Sequence, residues 1–407
     1  MALEIRTITA DEVIAYRRAI RFGFATRDTT DDADWAAATV DPVDRAHAAF
    51  EHGRIVATLH SFPTELTMPG GNTVSAGALT AVTCQPTHRR QGVLTRMISA
   101  DLLASKERGE PVDILIAAEY PIYGRFGYGP AVHATAWELD LAATRFVEPG
   151  AGSVEFVDDE TFRKEAPTIF ERVRTTRPGM IARNDFDWDV KADLRRRPED
   201  KPWLGFRVLC RDSDGTAQGW VNYRIEEKWD GMRPQSKVAV DELCGATPAA
   251  EARLWRYLAD LDLVASVTAG DRPTDEILPL LLHDARAARC VQLHDFVWTR
   301  PLDITRLLEA RRYEVTGRLV FEVVDEQGLA NGRYLLDASP DGVSCSATDE
   351  SADLAWSVRA LGAVVLGGRR VSQLHAARWL DEHRQGAVAD ADAMFASSVT
   401  PWCNTWF

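Results

Sequence analysis

Along the first third of the chain, short apolar runs alternate with helical patterns. From Ala10 to Phe22 the apolar positions Val13, Ile14, Ile20 and Phe22 favour one side, which predicts a helix. The next stretch, Thr26 to Trp35, sets Asp28, Asp31, Asp32 and Asp34 around the aromatic Trp35 and reads as a loop. Strand patterns follow at Arg45–His52, Arg54–Phe62, Thr64–Met68 and Val74–Thr83. Gly53 and the Pro69-Gly70-Gly71-Asn72 turn connect them as an antiparallel meander. A helix is then predicted from Arg90 to Glu107, with strands at Val112–Ala118 and His133–Leu141.

A weaker copy of this order runs from Trp203 to Leu282. It has strands at Gly205–Arg211, Gly219–Glu227 and Lys237–Leu243, a helix at Ala249–Leu261 and a strand at Leu263–Ala269. Leu79–Cys84 before the first long helix corresponds to Val240–Cys244 before the second. From Pro301 the style changes again, with strands at Val315–Val324, Gly332–Leu336 and Gly342–Ser346 and helices at Ser351–Leu361 and Arg369–His383. The expected class is therefore α+β (mixed α/β), divided at 1–145, 146–298 and 299–407. A chain of 407 residues agrees with two or three separate cores.

Composition narrows the function. Hydrophobic residues make up 45% and charged residues 27%, with no apolar run long enough to span a bilayer, so no membrane partner is expected. The formal charge of −14 disfavours nucleic acid, whose binding relies on clustered cations, and suits a cationic substrate. The start Met1-Ala2-Leu3-Glu4-Ile5-Arg6 lacks the features of a secretory signal, and a cytoplasmic location is expected. Cys84, Cys210, Cys244, Cys290, Cys345 and Cys403 are far apart, and no His-x-x-x-His pair occurs, so no metal is expected. The absence of Gly-x-Ser-x-Gly removes the usual hydrolase elbow.

The most specific chemistry lies in Ala81-Val82-Thr83-Cys84-Gln85-Pro86-Thr87-His88-Arg89-Arg90-Gln91-Gly92-Val93-Leu94-Thr95. A strand, a short loop and a helix start in this order offer an anion site, because the first helical amides lack partners and the dipole is positive there. Arg89 and Arg90 add charge, and Gly92 admits close backbone approach. The Arg89-x-x-Gly92 spacing resembles the acetyl-CoA pyrophosphate loop of the GNAT N-acetyltransferases, with Leu94 replacing the second small residue. The resemblance implies that Val82, Thr83 and Cys84 pair with the pantetheine arm while Arg89, Arg90, Gln91, Gly92, Val93, Leu94 and Thr95 hold the pyrophosphate. Ala118 and Glu119, ending the next strand, complete the implied cofactor-binding set.

Ile122-Tyr123-x-x-x-Gly127-Tyr128 follows, similar to the GNAT segment whose Tyr protonates the departing CoA thiolate, which makes Tyr123 the candidate general acid. The longer run Tyr123-Gly124-Arg125-Phe126-Gly127-Tyr128-Gly129-Pro130-Ala131 resembles the Eis (enhanced intracellular survival) family of aminoglycoside and lysine N-acetyltransferases. That resemblance implies two tandem GNAT folds, the second degenerate, then a sterol-carrier-protein-like domain, and assembly as a homo-oligomer, a hexamer. The degenerate copy has Ala249-Ala250-Glu251-Ala252 where a phosphate loop would stand. In the family the terminal carboxylate acts as general base, a role that falls here on Phe407 at the end of the apolar tail Pro401-Trp402-Cys403-Asn404-Thr405-Trp406-Phe407.

The expected activity is acetyl transfer from acetyl-CoA to a primary amine of an aminoglycoside-like or polyamine-like molecule. Asp28, Trp35 and Trp406 are the candidate substrate contacts. Family members active on aminoglycosides tend to carry an acid beside the terminal aromatic, where this chain has Trp406. Two alternatives stand beside this expectation: a noncatalytic apolar-ligand-binding protein with a vestigial GNAT domain, and an acetyltransferase for lysine or small aromatic amines. His88 is expected to flank the phosphate loop, and His133 suits either the cleft or a plain strand position.

Overall fold

Strand propensity runs through Pro63, so the third strand of the computed structural model is one continuous element where the pattern predicts two. The structure describes residues 3–26, 33–148, 150, 152–197 and 200–407. The first unit contains β1 (Glu4–Thr7), α1 (Val13–Gly23), α2 (Ala33–Thr39), β2 (Ala46–Glu51), β3 (Arg54–Thr67), β4 (Thr73–Cys84), α3 (Val93–Glu107), β5 (Val112–Ile116), α4 (Tyr120–Tyr123) and β6 (Gly129–Pro130). Pro63 is tolerated because β2 reaches only to the Ala46–His60 pair, so Pro63 itself has β4 alone as ladder partner, and the edge is covered again only at Glu65–Thr67, which bond to Met180 and Ala182. Of the acidic stretch read as a loop, Ala33–Trp35 belong to α2, which buries Trp35, and residues 27–32 lie outside the described residues.

The second unit contains β7 (His133–Asp140), β8 (Ser153–Phe156), α5 (Asp159–Arg174), α6 (Asp185–Lys191), β9 (Phe206–Arg211) and β10 (Ala217–Glu226). A short excursion, β11 (Trp229–Asp230) and β12 (Arg233–Pro234), precedes β13 (Ser236–Gly245), α7 (Pro248–Ala259), β14 (Val264–Arg272), β15 (Ala288–Asp295) and β16 (Val297–Pro301). The third unit contains α8 (Ile304–Glu309), β17 (Gly317–Val324), β18 (Gly332–Ser339), β19 (Gly342–Ala347), β20 (Leu354–Ser357), α9 (Val358–Val364), α10 (Val371–Ala376), β21 (Leu380–Glu382) and α11 (Ala387–Phe395). The expected helix at Ser351–Leu361 is thus a strand and then a helix. Leu354 and Trp356 alternate inward with the period of a strand, and the Ser357 side chain caps the helix by accepting from the Ala360 amide. The expected helix at Arg369–His383 likewise ends at Ala376 and is followed by β21, with Arg378 at φ +61° between them.

Among the described residues the main sheets run β1-β2-β3-β4-β5-β16-β6, β15-β7-β14-β13-β10-β9-β8 and β19-β18-β17-β20-β21. Two strands cross the expected divisions at 145 and 298. His133–Asp140 pairs with β14 and β15 in the second sheet, and Val297–Pro301 pairs with β5 and β6 in the first. The cause is one antiparallel ribbon: β7 runs beside β15 and the preceding β6 beside β16, joined where Ala131 and Val132 amides donate to the Val297 carbonyl. Both sheets share this ribbon, so residues of the second unit reach the cleft of the first.

The two copies share the same core step, a parallel strand pair linked by a helix. β4 pairs with β5 over Ala76–Leu79, and β13 pairs with β14 over Ser236–Val240. They differ at the helix start. α3 is preceded by Gly92 (φ +74°), which offers no side-chain cap, whereas the Thr247 side chain accepts from the Ala250 amide and Pro248 opens α7. The second N-terminus is closed by its own side chain.

Candidate active site

β4 and β5 stay paired only as far as Leu79 opposite Leu115. Beyond that point β4 turns away, with Ala81 at φ +52° and the Thr58 hydroxyl bonded to the Ala81 carbonyl (2.8 Å) and Thr83 Oγ1 (2.7 Å). A cavity of about 590 Å³ opens between the strands, lined by Leu79–Val82, Ile116–Ala118 and Tyr123. The second unit closes it with Asp271, Gln292, His294 and Asp295, and the end of the chain with Trp406 and Phe407. A larger hollow of about 710 Å³ beside α1, lined in part by Phe22, Phe50 and Gln85, contains neither Tyr123 nor the tail.

The structure therefore brings together Val82, Ala118, Tyr123, Trp406 and Phe407 from the expected site. Thr83 and Cys84 continue the same strand with buried side chains, Thr83 bonded to Thr58 and Cys84 in the core, so only their backbone faces a role. Glu119 caps α4 and is exposed. Trp35 is not brought to the cavity. Its ring packs on Phe186 at 5.3 Å, below the Arg17 guanidinium, because α2 turns it inward. Asp28 lies outside the described residues, as do Asp31 and Asp32.

The loop from β4 to α3 has the shape of an anion cradle. The first helical bond runs from the Arg96 amide to the Gly92 carbonyl (3.1 Å), so the amides of Val93, Leu94 and Thr95 precede the ladder and remain donors. A Cβ on Gly92 would meet nothing within 4 Å, which makes backbone conformation, not space, the reason for glycine. Arg89, Arg90 and Gln91 are exposed around it, and Arg89 Nε also donates to the Cys84 carbonyl (3.3 Å). Leu94 packs against the core with Val93, so its bulk leaves the amides open. His88 flanks the loop, held by Glu51 at 2.9 Å. The donor set fits the pyrophosphate of acetyl-CoA: open amides at a positive helix end, with two guanidinium groups beside them.

Tyr123 is buried at the side of the cavity, edge-on to Tyr128 at 6.2 Å. Burial, with Glu119 nearby, pushes its phenol up to about 12, so it stays protonated through neutral pH. Tyr128 serves the core instead, where its hydroxyl donates to Asp113 Oδ1 at 2.5 Å. Gly127 (φ +87°) and Gly129 serve docking, since a Cβ on Gly129 would fall on the Arg359 carbonyl of α9. Arg300, fully buried, seals this junction by donating to the Phe126 carbonyl and Asp325, both at 2.7 Å. The conspicuous Tyr123–Ala131 run is thus part site and part scaffold.

The tail is anchored before it enters the cavity. Trp402 and Cys403 are buried, and the Trp402 indole donates to the Asp271 carbonyl (2.7 Å). Arg183 donates to Thr405 Oγ1 (2.8 Å) and to the Asn404 carbonyl (3.1 Å). Trp406 donates to Asp271 Oδ2 (2.7 Å) and packs edge-on against Phe296, while the Phe407 ring meets Phe62 at 5.7 Å. Asp271 also faces His294 Nε2 at 3.4 Å, and Asp295 accepts from the Trp298 indole at 2.6 Å. Asp271, Gln292, His294 and Asp295 escaped the reading of the sequence, because no local motif marks a residue delivered from another unit; Phe24, just after α1, also lines the cavity and was missed. His133 is a strand residue bonded to Arg369 (2.6 Å), with burial lowering it to about 4.

Comparison with known proteins places the chain in a family. Residues 4–131 and 179–306 each match an acetyltransferase (GNAT) domain family, and residues 304–404 match the sterol carrier protein domain. An uncharacterized N-acetyltransferase of Streptomyces griseus subsp. griseus is 42% identical over 418 residues, covering 100% of both chains. The N-acetyltransferase Eis of Mycobacterium tuberculosis is 34% identical over 82% of this chain and 81% of its own. The crystal structure of Eis1 from Mycobacterium abscessus superposes with a TM-score of 0.87 at 29% identity, covering 99% of this chain and 100% of that one. Among the described residues no helix is long and apolar enough to cross a membrane, and no group of three or more His, Cys, Asp or Glu side chains suits a metal. The chain belongs to the Eis-type GNAT N-acetyltransferases, with two GNAT domains and a sterol-carrier-like domain.

Proposed function

We propose that the protein transfers acetyl directly from acetyl-CoA to a primary amine of a cationic small molecule, aminoglycoside-like or polyamine-like. The observation that carries this reading is the single cavity shared by Tyr123, the Phe407 terminus and the acids Asp271 and Asp295. When bound, acetyl-CoA supplies an activated thioester. The β4 backbone at Val82–Cys84 orients and polarises its carbonyl, and the Gly92–Thr95 amides hold the pyrophosphate. Asp271 and Asp295 attract the ammonium form of the acceptor. The Phe407 carboxylate takes a proton from the amine, directly or through water. Tyr123 donates its O–H to the sulfur as the C–S bond breaks and recovers the proton from solvent. Because its phenol is raised, it acts first as a hydrogen-bond donor to the developing thiolate.

The apolar-carrier alternative is disfavoured by the interior of the third unit. Phe321, Trp356 and Phe395 pack ring on ring at 5.3 and 5.5 Å, and the buried Arg311 fills the adjoining space against the Val365 and Phe395 carbonyls. Assembly as a homo-oligomer, a hexamer, is proposed from family resemblance. The test of substrate class is CoA thiol release with kanamycin, tobramycin, spermidine, a lysine peptide and arylalkylamines. Release with the first three supports the proposal, release with only the last two transfers the activity to the alternative acceptors, and release with none overturns it.

A further inference from the structure

A second polar cavity, of about 250 Å³, lies in the central unit between α6, β9, β10 and β13. Its carboxylates are already engaged. Asp241 accepts from Arg224 and from the Trp203 indole, Asp193 from Arg196 and the Trp203 amide, and Glu242 Oε1 from Arg183 (2.7 Å) and Asn404 (2.8 Å). Donors remain in surplus. Among the described residues Lys191 Nζ reaches only the far oxygen of Glu242, at 3.5 Å, and Arg207 directs Nε to Asp159 while its buried Nη2 has no partner. Asn222, 5% exposed, also has a buried side-chain oxygen without a partner among the described residues; a half-turn of its amide would turn its two N–H groups to that position. Arg207 cannot swing away, since its guanidinium lies over the Trp203 ring at 4.2 Å and the Phe162 ring at 4.6 Å. Burial and the nearby Arg183 press Lys191 toward losing its proton, and an anion beside it would reverse that pressure.

We propose that this cavity binds a small anion through at least two of its oxygens, a carboxylate or a phosphate, held by Lys191, Arg207 and Asn222. The volume admits a compact acid and not a nucleotide. The site is separate from the acetyl-transfer cavity and does not depend on the proposed acceptor.

The test is isothermal titration of the full chain, saturated with CoA so that the loop before α3 is filled, with inorganic phosphate in one arm and succinate in the other. Saturable binding is expected in at least one arm, and the arm identifies the source of the anion. Lys191→Met, which keeps the side-chain length and removes the charge, is expected to weaken binding about tenfold or more. Asn222→Asp, which sets a like charge against the ligand in the same volume, is expected to abolish it, and a melting curve of each variant checks that the fold is retained. No saturable heat up to roughly 10 mM in either arm, above the millimolar edge of specific binding, overturns the proposal. So does binding that both folded variants leave unchanged.

Discussion

The indole N–H of Trp406 donates to Asp271 Oδ2 at 2.7 Å, so the penultimate residue of the chain is tied to the second unit beside the carboxylate of Phe407. Asp271 sits at φ +51°, a conformation that Asn shares more readily than Ala. Asp271→Asn keeps an acceptor for the indole and removes the charge. It should raise KM for a polyamine about three- to tenfold with kcat nearly unchanged. Asp271→Ala loses the latch as well and should lower kcat too. Equal effects of the two variants on kcat would show that Asp271 does not position the tail.

Arg183 holds that tail from the other side. Its side chain is fully buried and bonds Thr405, Asn404 and Glu242, with the Phe170 ring 4.1 Å below it. Arg183→Met leaves Glu242 in the interior without its main partner and should destabilise by about 3–5 kcal/mol, with loss of acetyl transfer. Arg183→Lys should rescue little, because an ammonium cannot reproduce the fork. Full recovery of melting temperature and rate in the lysine variant would contradict this.

Gly92→Ala isolates the backbone conformation of the cradle. The added methyl meets nothing, so the cost is that of left-handed geometry, about 1–2 kcal/mol, which a loop relieves by relaxing out of shape. CoA affinity measured by calorimetry should fall about tenfold. An unchanged dissociation constant would mean that the turn is not part of the site.

The stability of the first sheet should depend on acid through His60. The ring is 3% exposed, with Nε2 at 3.3 Å from the Pro42 carbonyl, and burial lowers it to about 4 despite that carbonyl. A lowered histidine favours the neutral form in the fold. Its contribution is complete above the unfolded value of about 6.5 and is lost as the pH falls toward about 4, because the unfolded chain binds the proton first. At about pH 5 the loss is about 2 kcal/mol. The shift in unfolding midpoint between neutral pH and about pH 5 should therefore be smaller in His60→Gln than in the native protein. Equal shifts would exclude His60 as a source.

The parts of this molecule legible in its sequence were those with a local cause. The β4–α3 cradle and Tyr123 lie on contiguous residues whose turn glycine, cations and strand pattern act together. The repeat of a strand–helix–strand step was equally visible, since β13 and α7 keep the apolar spacing of β4 and α3. Asp271 and His294 were hidden because their place depends on a ribbon exchanged between sheets, and nothing near either residue announces that exchange. Trp35 misled for the opposite reason: an aromatic beside acids looks like a binding segment, yet a seven-residue helix turns it into the core. The break at Ser357 was obscured by apolar residues common to β20 and α9, where only the cap separates a strand from a helix.

The most direct measurement is the rate of amine-dependent CoA release from acetyl-CoA by the native protein, by Tyr123→Phe and by a chain extended with one glycine beyond Phe407. With acetyl-CoA affinity nearly unchanged, the first variant should lose about a hundredfold or more in kcat, as expected for a general acid. The extended chain should also lose turnover, because its carboxylate no longer stands where Phe407 enters the cavity. Native rates in both would contradict direct transfer at a site built from Tyr123 and the end of the chain.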